Sequence, residues 1–116
     1  MLKIENISDE PMQRHSIIFN ESEIVFTLRF YPRSQIWCFD AEYGDWSAKG
    51  IKLSLGVFHI AGQNQLFDFY VTDLSNNGLD PFSKIDFSSG RCVLYLLEQD
   101  DIEDIRGIVL SWDRDL

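Results

Sequence analysis

The sequence predicts an all-β protein, a small antiparallel sandwich or partly closed barrel of six to eight short strands. Short apolar stretches recur at roughly ten-residue spacing, several alternate apolar and polar residues with a period of two, and turn-forming Gly, Pro and Asn separate them. No segment has the pattern of a convincing amphipathic helix. A chain of 116 residues has room for one core. We therefore expect a single β domain over residues 1–116.

The first strands have the pattern of a hairpin. A short apolar element at residues 15–19 precedes Asn20 and Glu21, which favour a tight turn. Apolar residues then occupy every second position of residues 24–31, so they share one face of a strand. Pro32 ends this strand because proline has no amide hydrogen to donate to a sheet.

The middle of the chain continues in the same way. Residues 36–41 are apolar at successive positions, which predicts a strand covered on both faces. Gly44 follows in an acidic turn, and the alternation over residues 49–55 predicts a strand with one solvated face. Residues 57–61 have no clear period, and we expect them to cross an open end of the sheet.

Strand character returns at residues 66–72, before a long loop at 73–83. Ile85 and Phe87 predict a brief strand, and residues 92–97 form the last strongly apolar strand.

The two ends of the chain differ from this middle. Five carboxylates lie within residues 98–104, and the residues after them are apolar enough to pair or dock. We expect the lead-in at residues 1–13 and the tail at residues 98–116 to dock on neighbouring proteins.

The formal net charge of −9 disfavours direct binding to nucleic acid or to an anionic membrane. The basic residues are scattered, with no run that could follow a phosphate backbone. No segment approaches the ~20 apolar residues that span a bilayer, and the N-terminal MLKIENISDEP lacks the apolar run of a secretory signal. We expect synthesis in a cytosol and no membrane insertion. There, Cys38 and Cys92 are expected as buried free thiols, with a disulfide as the alternative.

The loop DLSNNGLDPFSK has part of a calcium-binding pattern. Position 12 of that pattern should be a bidentate Glu, but it is Lys84 here, whose ammonium repels a cation. We therefore expect no metal and a solvated loop in which the Asn-Gly pair takes positive φ. The residues at positions 1, 3, 5 and 6 are Asp73, Ser75, Asn77 and Gly78.

No residue is assigned a catalytic, cofactor-binding or metal-binding role. The sequence has no phosphate cradle and no G-x-S-x-G elbow. His15 and His59 lie on separate apolar elements and are expected as packed or edge residues. The acidic run is expected to solvate a turn, because catalytic carboxylates need a cleft that holds them apart. Its carboxylates are Glu98, Asp100, Asp101, Glu103 and Asp104.

Aromatic residues are abundant, and two uses remain open for those outside the core. Trp37, Trp46, Trp112, Tyr43 and Tyr70 could stack on sugars, which would make the protein a carbohydrate-binding β module. Exposed aromatic rings also anchor protein interfaces, and this is the use that we favour. A small hydrolase that uses the acidic residues is a third class.

Four aromatic residues are expected as interface contacts, because they lie in turns or at the chain end, where the core does not claim them. They are Trp46, Phe58, Phe82 and Trp112.

The order of the elements resembles one known family. The stretch LRFYPRSQIWCFDAEYGDWSAKGIKLSLGV, followed by FDFYVTD and GRCVLYL, is similar to the phage baseplate plug family of contractile-tailed phages. The resemblance covers about residues 28–97, with a strand ending near Tyr31, an aromatic strand around Trp37 and Phe39, and an Asp-rich loop. The residues of its two motifs are Gly50, Ile51, Leu53, Gly56 and Val57, and then Cys92, Val93, Leu94 and Tyr95.

The resemblance implies a non-enzymatic structural subunit of a tail baseplate, present in several copies and packed near the central hub and tail tube. Its partners would be other baseplate, hub and tail-tube proteins. It would be made in the bacterial host cytoplasm and end in the virion. The tail beyond Glu98 is longer and more acidic than the family pattern.

Overall fold

The computed structural model describes the backbone of residues 1–114 and the side chains of residues 1–107. Its elements are β1 (Leu2–Lys3), β2 (Met12–Phe19), β3 (Ser22–Tyr31), β4 (Ile36–Tyr43), β5 (Trp46–Lys52), β6 (Phe67–Asp73), β7 (Cys92–Glu98) and α1 (Gln99–Arg114). One antiparallel sheet has the order β2–β3–β4–β5, and the other has the order β1–β7–β6. The two sheets pack together without closing into a barrel, so the predicted all-β sandwich is confirmed.

The four-stranded sheet is a meander that begins with a tight hairpin. Asn20 and Glu21 have φ values of 49° and 69°, and Phe19 pairs directly with Ser22. Positive φ at both central residues gives a two-residue turn the twist that joins adjacent strands well. The predicted turn is therefore confirmed, although β2 begins at Met12 and not at residue 15.

Strand β4 is covered more fully on its inner face than on its outer one. Trp37, Phe39 and Ala41 are buried in the space between the sheets. On the outer face only Cys38 is buried, and its neighbours Ile36 and Asp40 are half-exposed. The prediction that both faces are covered is thus correct only around Cys38.

Aromatic rings form the centre of the core and connect the two sheets. The ring of Phe39 in β4 lies 4.8 Å from that of Phe69 in β6, and Phe26 in β3 lies 5.3 Å from the same ring. A buried aromatic side chain removes about 150–250 Å² from water. These contacts therefore supply much of the driving force that holds one sheet against the other.

The three-stranded sheet is buried on both faces because α1 covers its outer side. Inner residues of β7, such as Leu94 and Leu96, join the main core. Leu97 alternates with them and is fully buried outside that cluster, and α1 packs against β7 and β6. Ile102 is the most deeply buried of the described α1 residues.

The helix corrects the prediction that the chain has no amphipathic helix. The first turn contains Asp100 and Asp101. Carboxylates there stabilise a helix because they lie at the positive end of its dipole. Asp101 accepts a hydrogen bond from the amide of Glu98 at 2.9 Å and pairs with the Met1 ammonium at 3.0 Å. These two contacts lower the pKa of Asp101. The acidic run therefore starts a helix and does not solvate a turn.

The chain crosses from one sheet to the other just after β5. The amide of Leu53 still bonds the carbonyl of Trp37, but Leu55 forms a parallel bridge with Val71 in β6. The crossing that we predicted for residues 57–61 thus begins earlier.

The predicted strand at Ile85 and Phe87 is wrong. Residues 84–89 form consecutive turns, in which the amide of Ser89 bonds the carbonyl of Ile85 at 2.8 Å.

We expect Phe69→Ala to lower the free energy of unfolding by about 3–5 kcal/mol, because it leaves a cavity where rings of both sheets meet. The matched control is Phe82→Ala, which truncates an exposed ring and should cost less than about 1 kcal/mol. Urea unfolding followed by circular dichroism gives both values. Equal losses would show that Phe69 does not hold the sheets together.

Candidate protein interaction surface

The connection between β6 and β7, residues 74–91, carries a group of exposed apolar side chains. Leu74, Leu79, Phe82 and Ile85 are 63%, 49%, 42% and 49% exposed. Exposed apolar residues that cluster on a protein surface often mark an interaction site. We call this segment the β6–β7 loop.

A buried ion pair fixes the second half of the loop. The Arg91 guanidinium donates from Nε and Nη2 to the two carboxylate oxygens of Asp86, at 2.9 and 3.0 Å. The same carboxylate accepts the amides of Phe82 and Ser83, both at 2.7 Å. A two-pronged contact of this kind sets orientation as well as distance.

Arg91 also holds the first half of the loop. It donates to the carbonyl oxygens of Leu79 at 3.1 Å and Asp80 at 3.0 Å, and it lies 3.4 Å from the Asp73 carboxylate. Its guanidinium carbon is 5.1 Å from the centre of the Phe82 ring, which is within the range of a cation–π contact. One side chain thus connects both ends and the middle of the loop.

The charges of this network remain fixed near neutral pH. Burial alone would raise the pKa of Asp86, but hydrogen bonds from Arg91 and from two backbone amides outweigh it and lower that pKa. The Asp86 contact raises the pKa of Arg91. The Ser75 hydroxyl, with the amides of Ser75 and Leu79 and the Arg91 charge, lowers the pKa of Asp73 to about 2.

Asp73 uses its carboxylate to organise the loop. It accepts the amides of Ser75 at 2.8 Å and Gly78 at 3.0 Å. Among the residues that the structure describes, no three His, Cys, Asp or Glu side chains are grouped to hold a metal ion. Positive φ occurs at Asn76 and Gly78, so the sequence prediction was right for Gly78 and one residue off for the asparagine.

An open cleft separates the β6–β7 loop from the turn between β3 and β4. Its walls are residues 34–36 on one side and residues 79–82 on the other, with Lys52 at the rim, and its volume is about 540 Å³. Ile36 continues the apolar surface to Tyr31, its cross-strand partner, which is also exposed. Half of the lining residues are polar or charged, and we call this feature the apolar cleft after the other four, Ile36, Leu79, Pro81 and Phe82.

The indole ring of Trp37 is one of the points at which the loop is attached to the core. Trp37 is fully buried, and its Nε1 donates to the carbonyl of Ser83 at 2.9 Å. Its ring also packs edge to face against Phe87 at 5.3 Å. The wall of the apolar cleft is therefore joined to the centre of the sandwich.

Of the predicted interface residues Trp46, Phe58, Phe82 and Trp112, the structure places Trp46 and Phe82 at opposite ends of β4. Phe82 lines the apolar cleft. Trp46 is half-buried, donates to Gln63 at 3.1 Å, and pairs with the far end of β4, roughly 20 Å from the cleft at ~3.3 Å per residue. Phe58 lies under the Arg106 guanidinium at 5.2 Å. The side chain of Trp112 lies outside the described residues. Their role as contacts stays a prediction.

The rings considered for sugar stacking are mostly engaged in the interior. Trp37 is fully buried, the ring of Trp46 packs nearly perpendicular to that of Phe67 with ring centres 5.8 Å apart, and Tyr43 donates its hydroxyl to the carbonyl of Phe19. Trp37 therefore has no ring face open to a sugar, whereas Trp46 and Tyr43 are each partly exposed.

His59 stabilises the corner where the chain changes sheets. Its Nε2 accepts the amide of Ser54 at 2.9 Å, so its Nδ1 carries the hydrogen and donates to the carbonyl of Phe69 at 2.7 Å. Burial lowers the pKa of His59, which favours this neutral form. Nearby, Asp80 accepts the amide of Leu55 at 2.9 Å. The expectation of a packed histidine is confirmed.

The other histidine and the two cysteines also lie in structural surroundings. His15 stacks on Phe26 with ring centres 5.4 Å apart. Cys38 and Cys92 are buried free thiols, as expected, and burial raises the pKa of Cys92 to about 11.

Sequence reasoning identified Phe82 but missed the residues that form the rest of the cleft. Leu79 was read as part of a solvated loop, and Tyr31 and Ile36 were read only as strand residues. The sequence did contain one signal for the charged network. Arg91 directly precedes β7 and Asp73 ends β6, and antiparallel pairing of the two strands places such residues side by side.

No family model and no curated protein matches this chain. Within residues 1–114, the single helix is not long and apolar enough to cross a membrane.

We expect Arg91→Ala to lower the free energy of unfolding by about 3 kcal/mol, because it leaves the buried Asp86 carboxylate without its partner. Arg91→Lys should recover only part of this loss, since an ammonium cannot make the two-pronged contact. Arg33→Ala, at an exposed turn position, should change stability by less than about 0.5 kcal/mol. Denaturant unfolding measures all three, and a loss for Arg91→Ala no larger than the Arg33 control would contradict the network's role.

We also expect the protein to lose stability as the pH falls from 7.5 towards 5. Burial lowers the pKa of His15 and His59 below the 6.5 of an exposed histidine, so the unfolded chain takes up protons first and acid favours unfolding. His59→Gln should be less stable at pH 7.5 but show a smaller pH slope. Asp68, whose pKa burial raises, acts in the opposite sense. Because His59 lowers the Asp68 pKa, its loss in the variant strengthens that opposing effect and flattens the slope further. A wild-type melting temperature that does not change over this range would contradict the assignment of neutral histidines.

Proposed function

We propose that the chain is a non-enzymatic structural subunit of a contractile phage tail baseplate. It would be a plug-like component packed near the central hub and tail tube, and the apolar cleft would be one of its contacts with other baseplate, hub or tube proteins. The observation that carries this proposal is an exposed apolar surface built on a rigid charged network. Such a surface suits a permanent protein contact.

Rigidity favours binding at this surface. Association costs free energy when loops and side chains lose freedom on contact. Here the amides and carbonyls of the β6–β7 loop are already held by Arg91, Asp86 and Asp73. The exposed Leu79 and Phe82 side chains thus start from a fixed backbone. A partner would not need to order this loop in order to bind it.

The glycines of the resemblance lie where the backbone needs them. Gly50 has a φ of 66° and donates its amide to the Asp40 side chain at 2.8 Å, at the irregularity between β4 and β5. Gly56 has a φ of 65° and bonds the carbonyl of Val71 at 3.1 Å. Residues other than glycine seldom adopt such angles. Of the two glycines, Gly56 lies at the change of sheets and Gly50 at the irregularity before it.

The charge of the chain also suits this location. A formal net charge of −9 repels DNA. A protein beside the path along which DNA leaves a particle benefits from a surface that does not retain it. This supports a place in the virion tail baseplate, after synthesis in the cytoplasm of the bacterial host.

The direct test is co-expression of the chain with the tail proteins of a contractile-tailed phage, followed by affinity purification and particle imaging. We expect a stable complex with a hub, tube or baseplate protein, present in a fixed copy number. The double variant Leu79→Ser/Phe82→Ser should weaken that complex at least about 30-fold, since truncating a central apolar contact costs about 2 kcal/mol or more.

The matched control is Val57→Ser/Leu66→Ser, which removes two apolar side chains of similar exposure outside the cleft. Both double variants should keep the circular dichroism spectrum of the wild type. Loss of binding in the control variant alone would show that the contact lies outside the cleft. Failure of the wild-type chain to join any tail protein would overturn the proposed function.

A further inference from the structure

Strand β2 has a hydrogen-bonding edge without a backbone partner, and residues 2–6 line a pocket beside its middle residues. Phe19 faces Ser22 across the two-residue turn, so the odd-numbered residues of β2 bond to β3. The carbonyl of Pro11 continues this row by accepting the amide of Phe30 at 2.7 Å. The backbone groups of the even-numbered residues therefore point away from the sheet. They are Met12, Arg14, Ser16 and Ile18, and no backbone hydrogen bond from another described segment reaches them.

The other sheet edges are protected. Strand β6 is bordered by the crossing segment, through the amide of Gly56 and the ring of His59. Strand β1 has only two residues. Strand β5 is interrupted by the irregularity at Gly50 and carries Lys49 and Lys52. Short strands, bulges and lysines are the features that block edge-to-edge pairing. Strand β2 has eight residues without an interruption in its pairing.

The side chains on the outer face of β2 favour a second copy of the same strand. Met12 and Ile18 are 61% and 71% exposed. If two β2 strands pair antiparallel about His15, Met12 of each copy faces Ile18 of the other, and Arg14 faces Ser16. Shifting the axis one residue towards Met12 places Arg14 opposite Arg14, where like charges repel. The shift towards Ile18 leaves Arg14 opposite that apolar side chain.

We propose that two copies of this chain associate through their β2 edges, antiparallel about a two-fold axis at His15, to form one continuous eight-stranded sheet. Each even-numbered residue of β2 would then both donate and accept one backbone hydrogen bond. The strand contains no acidic residue that would pair with Arg14 in another register. This inference does not depend on the proposed function.

The area of contact sets the strength of the dimer. One eight-residue edge buries less than the ~800 Å² per partner of a standard stable complex. We therefore expect a dissociation constant in the range of about 10–100 µM. Sedimentation velocity of the full chain from about 1 to about 500 µM covers this range on both sides. A chain that stays monomeric over this whole range would overturn the proposal. The proposal would fail even if the β2 edge then bound a strand of a different protein.

Two variants at one position test the register. Ser16→Glu places a carboxylate opposite Arg14 of the second copy, whereas Ser16→Arg places two guanidinium groups together. We expect dissociation constants that differ by about tenfold, with Ser16→Glu the tighter, because each dimer contains two such pairs. Ser16→Glu makes the whole chain more acidic, so general repulsion acts against this result. Equal constants, or the reverse order, would overturn the proposed register.

A third variant tests the edge itself. Ser16→Pro removes an amide that points away from β3, so the monomer keeps its internal hydrogen bonds. We expect it to abolish association while circular dichroism at low concentration stays unchanged. Association equal to that of the wild type would overturn pairing through this edge. If this variant fails to fold, the Ser16→Glu and Ser16→Arg comparison still decides the question.

Discussion

The packing of aromatic rings between the two sheets is the interaction on which the rest of the structure depends. Phe26 and Phe39 come from one sheet and meet Phe69 of the other within 5.3 Å. Because side chains alternate along a strand, this contact determines which residues of each strand face outwards. It thereby exposes Met12 and Ile18 on one surface and leaves the opposite surface to be covered by α1.

The same core determines where the apolar cleft forms. The chain must leave the four-stranded sheet after β5 and return through β6 and β7, and the long β6–β7 loop passes the end of the sandwich where Trp37 lies. Arg91 then fixes this loop from the start of β7. The cleft is thus a consequence of the topology, together with two buried polar contacts. Its exposed side chains are those that neither the core nor the network uses.

The sequence alone predicted the elements whose own residues show the full strand or turn pattern. Strand β3 alternates without a break, and the turn at Asn20 and Glu21 has residues that tolerate positive φ. Elements held by partners far along the chain were missed. The start of β2 is polar, and it forms a strand because β3 pairs with it. Helix α1 was missed because the carboxylates that cap it resembled a solvated turn.

The candidate interaction surface also contains residues that the sequence could identify and residues that it could not. An aromatic residue in a loop, Phe82, is visible from the sequence as a candidate contact. The residues around it are not, because Arg91 reaches Asp73 only after β6 and β7 have paired. The face that Tyr31 and Ile36 present depends likewise on the register of β3 with β4.

The hydrogen bond from Trp37 to the carbonyl of Ser83 has a consequence for cooperativity. Loops of this length commonly open locally, at a small fraction of the global unfolding free energy. Here, opening would strip an indole ring of its edge-to-face neighbour Phe87 and leave its buried N–H without an acceptor. The rim of the cleft therefore belongs to the same cooperative unit as the central strands, and the amides of Phe82 and Ser83 should exchange with solvent deuterium about as slowly as those of β4.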